Sequence, residues 1–348
     1  MKSTLFTFVG TVLLLIVSMA WTVAPTAAGG SGLLLVANKG ERALGLIDPQ
    51  ANRQVVMVPE NGVTGHEVIA SPDGRTAYVP IYGDSGVGKP GTDGQHLIAI
   101  DLASRTIKAT LDFGHGVRPH CPIVNPRDGL LYVTTELDQT VSVVDPATMK
   151  VVGTVPTGQP ESHMLAITRD GKRGYTSNVG PGTVSVLDLE ARKTLKVIQV
   201  SPYSQRIALS ADDKYAFTSD QRSPRLAVIN TSTNEVERWV TLPASGYGTA
   251  ATSDGRWLVV AMPTANKVAV IDLKSFTVAR TIDVPQAPQE VLIRPDNEIA
   301  YVSCDVTAKV VAIRIADWSI AATIDAGKGA DGLAWAPGAS AAAQGSGK

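Results

Sequence analysis

The 348-residue chain lacks several features that would have narrowed its function at once. Charge of one sign is missing: 31 Lys and Arg face 32 Asp and Glu, a net charge of -1. No bulk basic field exists to hold a phosphate backbone, and nucleic acid is not expected as a partner. Cysteine is scarce, with only Cys121 and Cys304, which excludes a dense disulfide framework. Neither a C-x-x-C-H attachment motif nor a Gly-rich phosphate loop occurs, so no haem and no nucleotide cofactor is expected. Aromatic residues make up only 5%, and past the N-terminus no apolar run approaches the ~20 residues of a membrane span.

Glycine (32) and proline (21) are plentiful, which favours short strands and tight turns over long helices. The N-terminus has Lys2, an apolar run from Leu5 to Ala20, and small residues from Ala24 to Gly30, the layout of a secretory signal. Residues 1–28 are accordingly expected to be cleaved, leaving a periplasmic or secreted protein with no membrane insertion. Residues 29–337 carry the fold, and 338–348 (GASAAAQGSGK) have no pattern and read as a disordered tail.

Self-similarity decides the architecture. A residue before each small-polar strand end recurs at Leu35, Tyr78, Tyr132, Tyr175, Phe217, Val259 and Tyr301, spaced by 42 or 43 residues except for one interval of 54. A second column, closing the next strand, falls at Asp48, Asp101, Asp145, Asp188, Asn230, Asp272 and Arg314. Both columns count seven units. Each unit reads as four short strands separated by Gly, Asp and Asn turns, one blade of a propeller. The last segment, Asp331 to Pro337, resembles a first strand with no remainder, and Leu33 to Leu35 a second strand with no predecessor. The expected fold is therefore all-β, a seven-bladed β-propeller of four-stranded blades, its ring closed by pairing the C-terminal strand with the N-terminal blade.

The repeats YVTTELDQTVSVVDPATMKVVGTVPTGQP, YTSNVGPGTVSVLDLEARKTLKVI and AYVSCDVTAKVVAIRI resemble the YVTN-repeat seven-bladed propellers, the YncE-like proteins, over essentially the whole mature chain. That resemblance implies the architecture. Relatives of the repeat occur in lactonases, dehydrogenase subunits and surface-layer modules, so function has to be argued from the site.

Six residues before the turn proline Pro72, or its equivalent, every unit carries a polar or ring-bearing side chain: Asp331, His66, His120, His163, Gln205, Tyr247 and Gln289. This column opens the innermost strands and should ring one mouth of the central channel, with His66, His120 and His163 on neighbouring blades. An arc of three imidazoles suits a divalent metal. His115 and His96 map to the same face, as do Glu67, Glu136, Glu161, Asp305 and Glu290. Arg118 and Arg206 offer bidentate pairing to a carboxylate or phosphate. The leading expectation is a small polar ligand held by His115, Arg118, Glu136, Gln205, Tyr247, Gln289 and Asp331, with a metal on the three histidines. A lactonase-type hydrolase is the alternative, with the metal or Arg206 polarising a carbonyl and Glu67 or Glu161 as base. A scaffold for a protein partner, using the blade rims, is the third reading.

Tyr78 to Asp101 spans ten residues more than Tyr132 to Asp145, and the surplus lies in IYGDSGVGKPGTDGQH. Such an insertion overhangs the same mouth as a lid or specificity loop, or is a tolerated surface insertion. A bridge between Cys121 and Cys304 across the ring would span too far, so each is expected as a buried small hydrophobe. Trp239, Trp257, Trp318 and Trp335 recur too irregularly to define an aromatic platform.

Overall fold

A computed structural model describes residues 31–341. The expected signal segment, 1–28, and most of the expected tail, 342–348, lie outside the described residues. Seven four-stranded antiparallel sheets form the ring. One is closed by β28 (Ala330–Pro337), which pairs antiparallel with β1 (Gly32–Asn38), Leu34 facing Trp335 and Leu35 facing Ala334. The sheet edges that an open ring would leave bare are thus paired. The start of the tail still packs: Gly338 donates its amide to the Ser31 carbonyl at 3.0 Å, and Ala339 and Ala341 rest against blades 1 and 2.

Each blade repeats one physical pattern. Its second and third strands are buried along their length, as in β9 (Leu131–Thr135) and β10 (Thr140–Asp145), because they lie between neighbouring blades. The outermost strand is largely open to solvent, as in β11 (Lys150–Pro156), where only Val155 is buried. The repeat tyrosines Tyr78, Tyr132, Tyr175 and Tyr301 and the equivalent Phe217 are buried between blades. Cys121 and Cys304 are both free and buried.

The innermost strands are irregular where the polar column falls. In β8 (Pro119–Val124), two residues, His120 and Cys121, stand opposite one, between the pairs Pro119 with Thr135 and Pro122 with Val133. The same bulge places Gln289 and Glu290 of β24 (Pro288–Ile293) between two regular pairs, and Asp331 and Gly332 in β28. A bulge re-aims side chains and leaves ladder groups unpaired. Small hydroxyls at the repeat's strand ends take them up. Thr134 Oγ1 accepts the Cys121 amide at 2.9 Å and donates to the His163 carbonyl at 2.8 Å, and Ser303 Oγ accepts the Glu290 amide at 3.0 Å. The small-polar strand ends of the repeat thus serve the bulge.

Thr134→Val leaves a buried amide and a buried carbonyl without this partner, at a cost of about 1–3 kcal/mol. We expect its thermal midpoint to fall by several degrees in a calorimetric scan while Thr134→Ser stays near wild type; equal midpoints for all three would contradict the role given to the hydroxyl.

Candidate functional site

The bulges turn one column into two tiers. The outer tier is the column read from the sequence, and the residue after each member forms an inner tier: Glu67, Cys121, Met164, Arg206, Gly248, Glu290 and Gly332. A Cβ at Gly248 would fall 1.9 Å from the Gln289 carbonyl oxygen, and one at Gly332 would fall 2.6 Å from the Glu67 carboxylate. Two blades therefore contribute backbone alone where the inner tier is most crowded.

Arg206 organises that tier. Nη1 donates to Glu67 Oε1 and Glu290 Oε2, each at 2.5 Å, and Nη2 to Asp331 Oδ1 at 3.0 Å. Tyr247 lies against the same guanidinium, 4.9 Å from ring centroid to Cζ. Lys39 completes the set, with Nζ 2.9 Å from Asp331 Oδ2 and 3.5 Å from Asp305 Oδ2. Burial works against the charge on Arg206, but Glu290 and Glu67 outweigh it and hold the guanidinium firmly protonated. Three carboxylates around one arginine cannot all ionise cheaply. Burial, with Glu290 and Asp331 beside it, pushes the Glu67 carboxyl up to about 8, while Lys39 and Arg206 keep Asp331 below the usual range against its own burial.

Above this lies a cluster of rings. His120 stacks on His163 at 3.5 Å between centroids, and His66 meets His120 edge-on at 5.8 Å. Tyr82 touches all three imidazoles, with centroids 4.6 Å from His66, 5.0 Å from His120 and 5.6 Å from His163. Glu136 is buried behind them. Its Oε2 accepts from the Tyr82 hydroxyl at 2.8 Å and from His163 Nδ1 at 3.1 Å. The His163 Nε2 atom faces the Gln205 amide at 3.0 Å, and Gln205 Oε1 accepts in turn from Gln221 Nε2 at 3.3 Å. Because the Gln205 amide nitrogen can only donate, His163 accepts it on Nε2 and carries its proton on Nδ1, toward Glu136. Burial lowers the pKa of His163 despite Glu136, and burial with the neighbouring imidazoles lowers that of His120 further, so both are neutral at physiological pH. His120 Nδ1 and Glu136 Oε1 are buried without a hydrogen-bond partner.

Seen from solvent, His66, Gln205, Tyr247, Gln289 and Lys39 are half-buried, whereas His120, His163, Glu136 and Arg206 are closed off. The insertion between β5 (Thr76–Gly83) and β6 (Asp93–Asp101) lies over this site. Val87 is buried against Tyr82 and Val179, and Gly88 reaches blade 4, where an added Cβ would sit 2.8 Å from Glu161 Oε1. Arg118 pins the insertion. Its Nε donates to Asp93 at 2.6 Å and its Nη2 to the Lys89 carbonyl at 2.7 Å and Ser85 Oγ at 3.2 Å.

Several residues singled out from the sequence are placed elsewhere. The Arg118 guanidinium is occupied by the insertion, and Glu161 accepts the Gly180 amide at 2.7 Å, apart from the Arg206 network. His115 is exposed and pairs with Asp138 at 2.9 Å, while His96 lies 3.8 Å from Asp112 at the rim. Gln289 turns its amide to the Ala287 carbonyl at 3.3 Å. Tyr82, Lys39 and Gln221 were not anticipated; the position of Tyr82 at the start of the insertion was the available signal. Among the described residues no group of three or more His, Cys, Asp or Glu is arranged to hold a metal ion. The physical reason lies in the rings. Stacked imidazoles aim their nitrogens side by side, and both nitrogens of His163 are engaged.

The buried carboxyl gives a pH dependence. Folded Glu67, held at about 8, binds more protons than unfolded Glu67 at 4.5, so its contribution is full below 4.5 and is lost as pH rises through 8. The histidines, lowered on folding, work in the opposite direction but fall silent above their unfolded value of 6.5. Stability should therefore fall between pH 6.5 and 8. Glu60, pushed up to about 7 by burial, adds a smaller part. In denaturant titrations at the two pH values, Glu67→Gln should remove most of the difference; an unchanged difference would show that Glu67 is ionised throughout.

A family model described as "Lactonase, 7-bladed beta-propeller" matches residues 59–242, which carry blades 2 to 5 and with them Tyr82, Glu136, Arg206 and all three clustered histidines. Among solved structures, hydrazine synthase of Kuenenia stuttgartiensis is similar with a TM-score of 0.68 and 16% identity, over 82% of this chain and 93% of that one, a likeness of fold alone. No curated protein matches the sequence. Since the family model spans more than half of the 348 residues, the chain belongs to the family described as lactonase, seven-bladed β-propeller.

Proposed function

We propose that the protein is a lactonase-type hydrolase that opens a small polar lactone or ester at the channel mouth. The observation that carries this reading is the chain Tyr82, Glu136, His163, Gln205, which fixes a neutral imidazole whose Nε2 lone pair accepts from the half-exposed Gln205 amide. A neutral, oriented imidazole is the form a general base needs at pH 7. In the reaction, the half-exposed Gln205 amide yields its place on Nε2 to a water, and Nε2 accepts a proton from that water as the water oxygen bonds the carbonyl carbon. The tetrahedral intermediate collapses with cleavage of the ring C–O bond, and the proton passes to the leaving alkoxide. The substrate approaches past His66 and Gln205, and Lys39 and Arg206 lend a positive field to an acidic product. The base is then His163, in place of the Glu67 or Glu161 considered from sequence alone. Glu67, pushed up to about 8, already holds its proton at pH 7, and Glu161 is turned to Gly180.

The YVTN-like repeats and the signal-like first 28 residues support a YncE-like branch of the family working in the periplasm or outside the cell. A divalent metal on His66, His120 and His163 would require the stacked rings to turn, so no step is assigned to one.

The test is a screen of lactones and esters with the mature protein, together with elemental analysis of wild type and the His66→Ala/His120→Ala/His163→Ala variant. His163→Gln should lower kcat by 10²-fold or more with an unchanged unfolding midpoint, since general-base loss costs about 10²–10⁴. Ligand binding without turnover would make the protein a binding propeller. An equivalent of metal lost with the histidines would restore the metal reading.

A further inference from the structure

The column of residues closing each third strand is acidic or Asn in six blades and Arg314 in the seventh. In the six, the side-chain oxygen caps the following turn, as Asp272 does for the amides of Lys274 and Ser275 at 2.8 and 3.0 Å. In blade 7 that duty passes to Asp317, which accepts from the Ser319 amide at 3.0 Å, and Arg314 lies at the surface with Nη1 3.5 Å from Asp317 Oδ2 and donating to Ser319 Oγ. Beside it opens a cleft of about 640 Å³ between blades 6 and 7, on the face opposite the channel mouth. Its volume lies in the range of small-molecule sites.

The walls combine two chemistries. Trp257 and Trp318 meet edge-to-face at 5.7 Å, and Ile299 and Ile315 extend the apolar floor. Trp318 sits at φ 62°, the left-handed turn position that every blade repeats, with Asn52, Arg105, Met149, Arg192, Asn234 and Phe276 in the other six. Three arginines rim the floor: Arg256 over the Trp257 ring at 4.6 Å, Arg280, and Arg314. Of the carboxylates nearby, Asp254 is engaged with Thr252 and the Arg256 amide and Glu298 with Arg294 at 2.8 Å, and only Asp317 reaches a rim arginine, an exposed 3.5 Å pair with Arg314 that a bound carboxylate would have to displace. Arg280 donates only to the Asp317 carbonyl, at 3.1 Å, and neither it nor Arg256 forms an ion pair among the described residues. Arginine on aromatic walls suits an anion attached to a flat apolar body.

We infer that the cleft between blades 6 and 7 is a second binding site, separate from the mouth, for small aromatic carboxylates, with the carboxylate on Arg280 and Arg314 and the ring on Trp257. The replacement of the repeat's acidic residue by Arg314 and the meeting of two tryptophans fall at one cleft, which packing alone does not require.

The probe is 2-naphthoate, titrated by calorimetry against the full chain, with 2-naphthalenemethanol as the neutral isostere and inorganic phosphate as the bare anion. Arg314→Asp restores the residue type that five other blades carry, so folding should survive, and an unchanged unfolding midpoint checks it. We expect 2-naphthoate to bind, the alcohol and phosphate to bind at least tenfold more weakly, and Arg314→Asp and Trp257→Ala each to weaken naphthoate at least tenfold. His163→Gln should leave it unchanged. The inference is overturned by absence of naphthoate binding, by equal binding of the alcohol or of phosphate, or by affinity that survives Arg314→Asp and is lost in His163→Gln, which would place the anion at the mouth.

Discussion

A buried guanidinium at the axis is the constraint on which the rest of the molecule depends. Arg206 comes from blade 5, and its partners come from blade 2 (Glu67), blade 7 (Glu290) and the closing strand (Asp331). Hydrophobic contact between blades is repetitive and would tolerate a ring in many registers. A charge network in a dry interior tolerates one, because each ion left without its partner costs several kcal/mol. The aliphatic and tyrosine packing between blades therefore supplies the bulk of the burial, while the axis fixes how the blades stand relative to one another. Specificity from buried charge is a role some proteins show and others do not; here the geometry connects four of the seven blades.

The irregularity of the inner strands is the second link. A regular strand presents alternate residues to the channel, so neighbours such as His66 and Glu67 would face opposite ways. The bulges set consecutive residues on one side and make the site two tiers deep: imidazoles and amides outside, charges within. The hydroxyls that repair the bulges belong to the repeat itself. A pattern that looks like simple fold maintenance is thus what allows polar groups to gather at the centre.

Much of this was legible in the sequence, because a repeat converts position in the chain into position in space. Two columns counted seven blades, the unpaired ends foretold the closing strand, and one column found the mouth, with His66, His120 and His163 together. What stayed hidden depends on distance across the ring. Nothing in the local pattern around Arg206 says that its partners lie 139, 84 and 125 residues away. Arg118 looked like a ligand-binding cation because its environment could not be read; the fold gives it the insertion to hold. Tyr82 was missed since tyrosines in this chain mostly pack between blades, and only the insertion's path shows that this one faces imidazoles. The tryptophans seemed scattered in sequence, yet Trp257 and Trp318 meet across a blade junction.

The closing strand has a consequence for the order in which the protein is made. Asp331 arrives with β28, and its two cationic partners, Lys39 and Arg206, are synthesised long before it. Until that strand is made the ring stands open, with Arg206 lacking one of its three carboxyl partners and Lys39 lacking the nearer of two. The charge network at the axis is therefore completed only when β28 docks beside β1. A chain stalled short of that strand would own every histidine of the cluster and still lack the anion that Lys39 and Arg206 share.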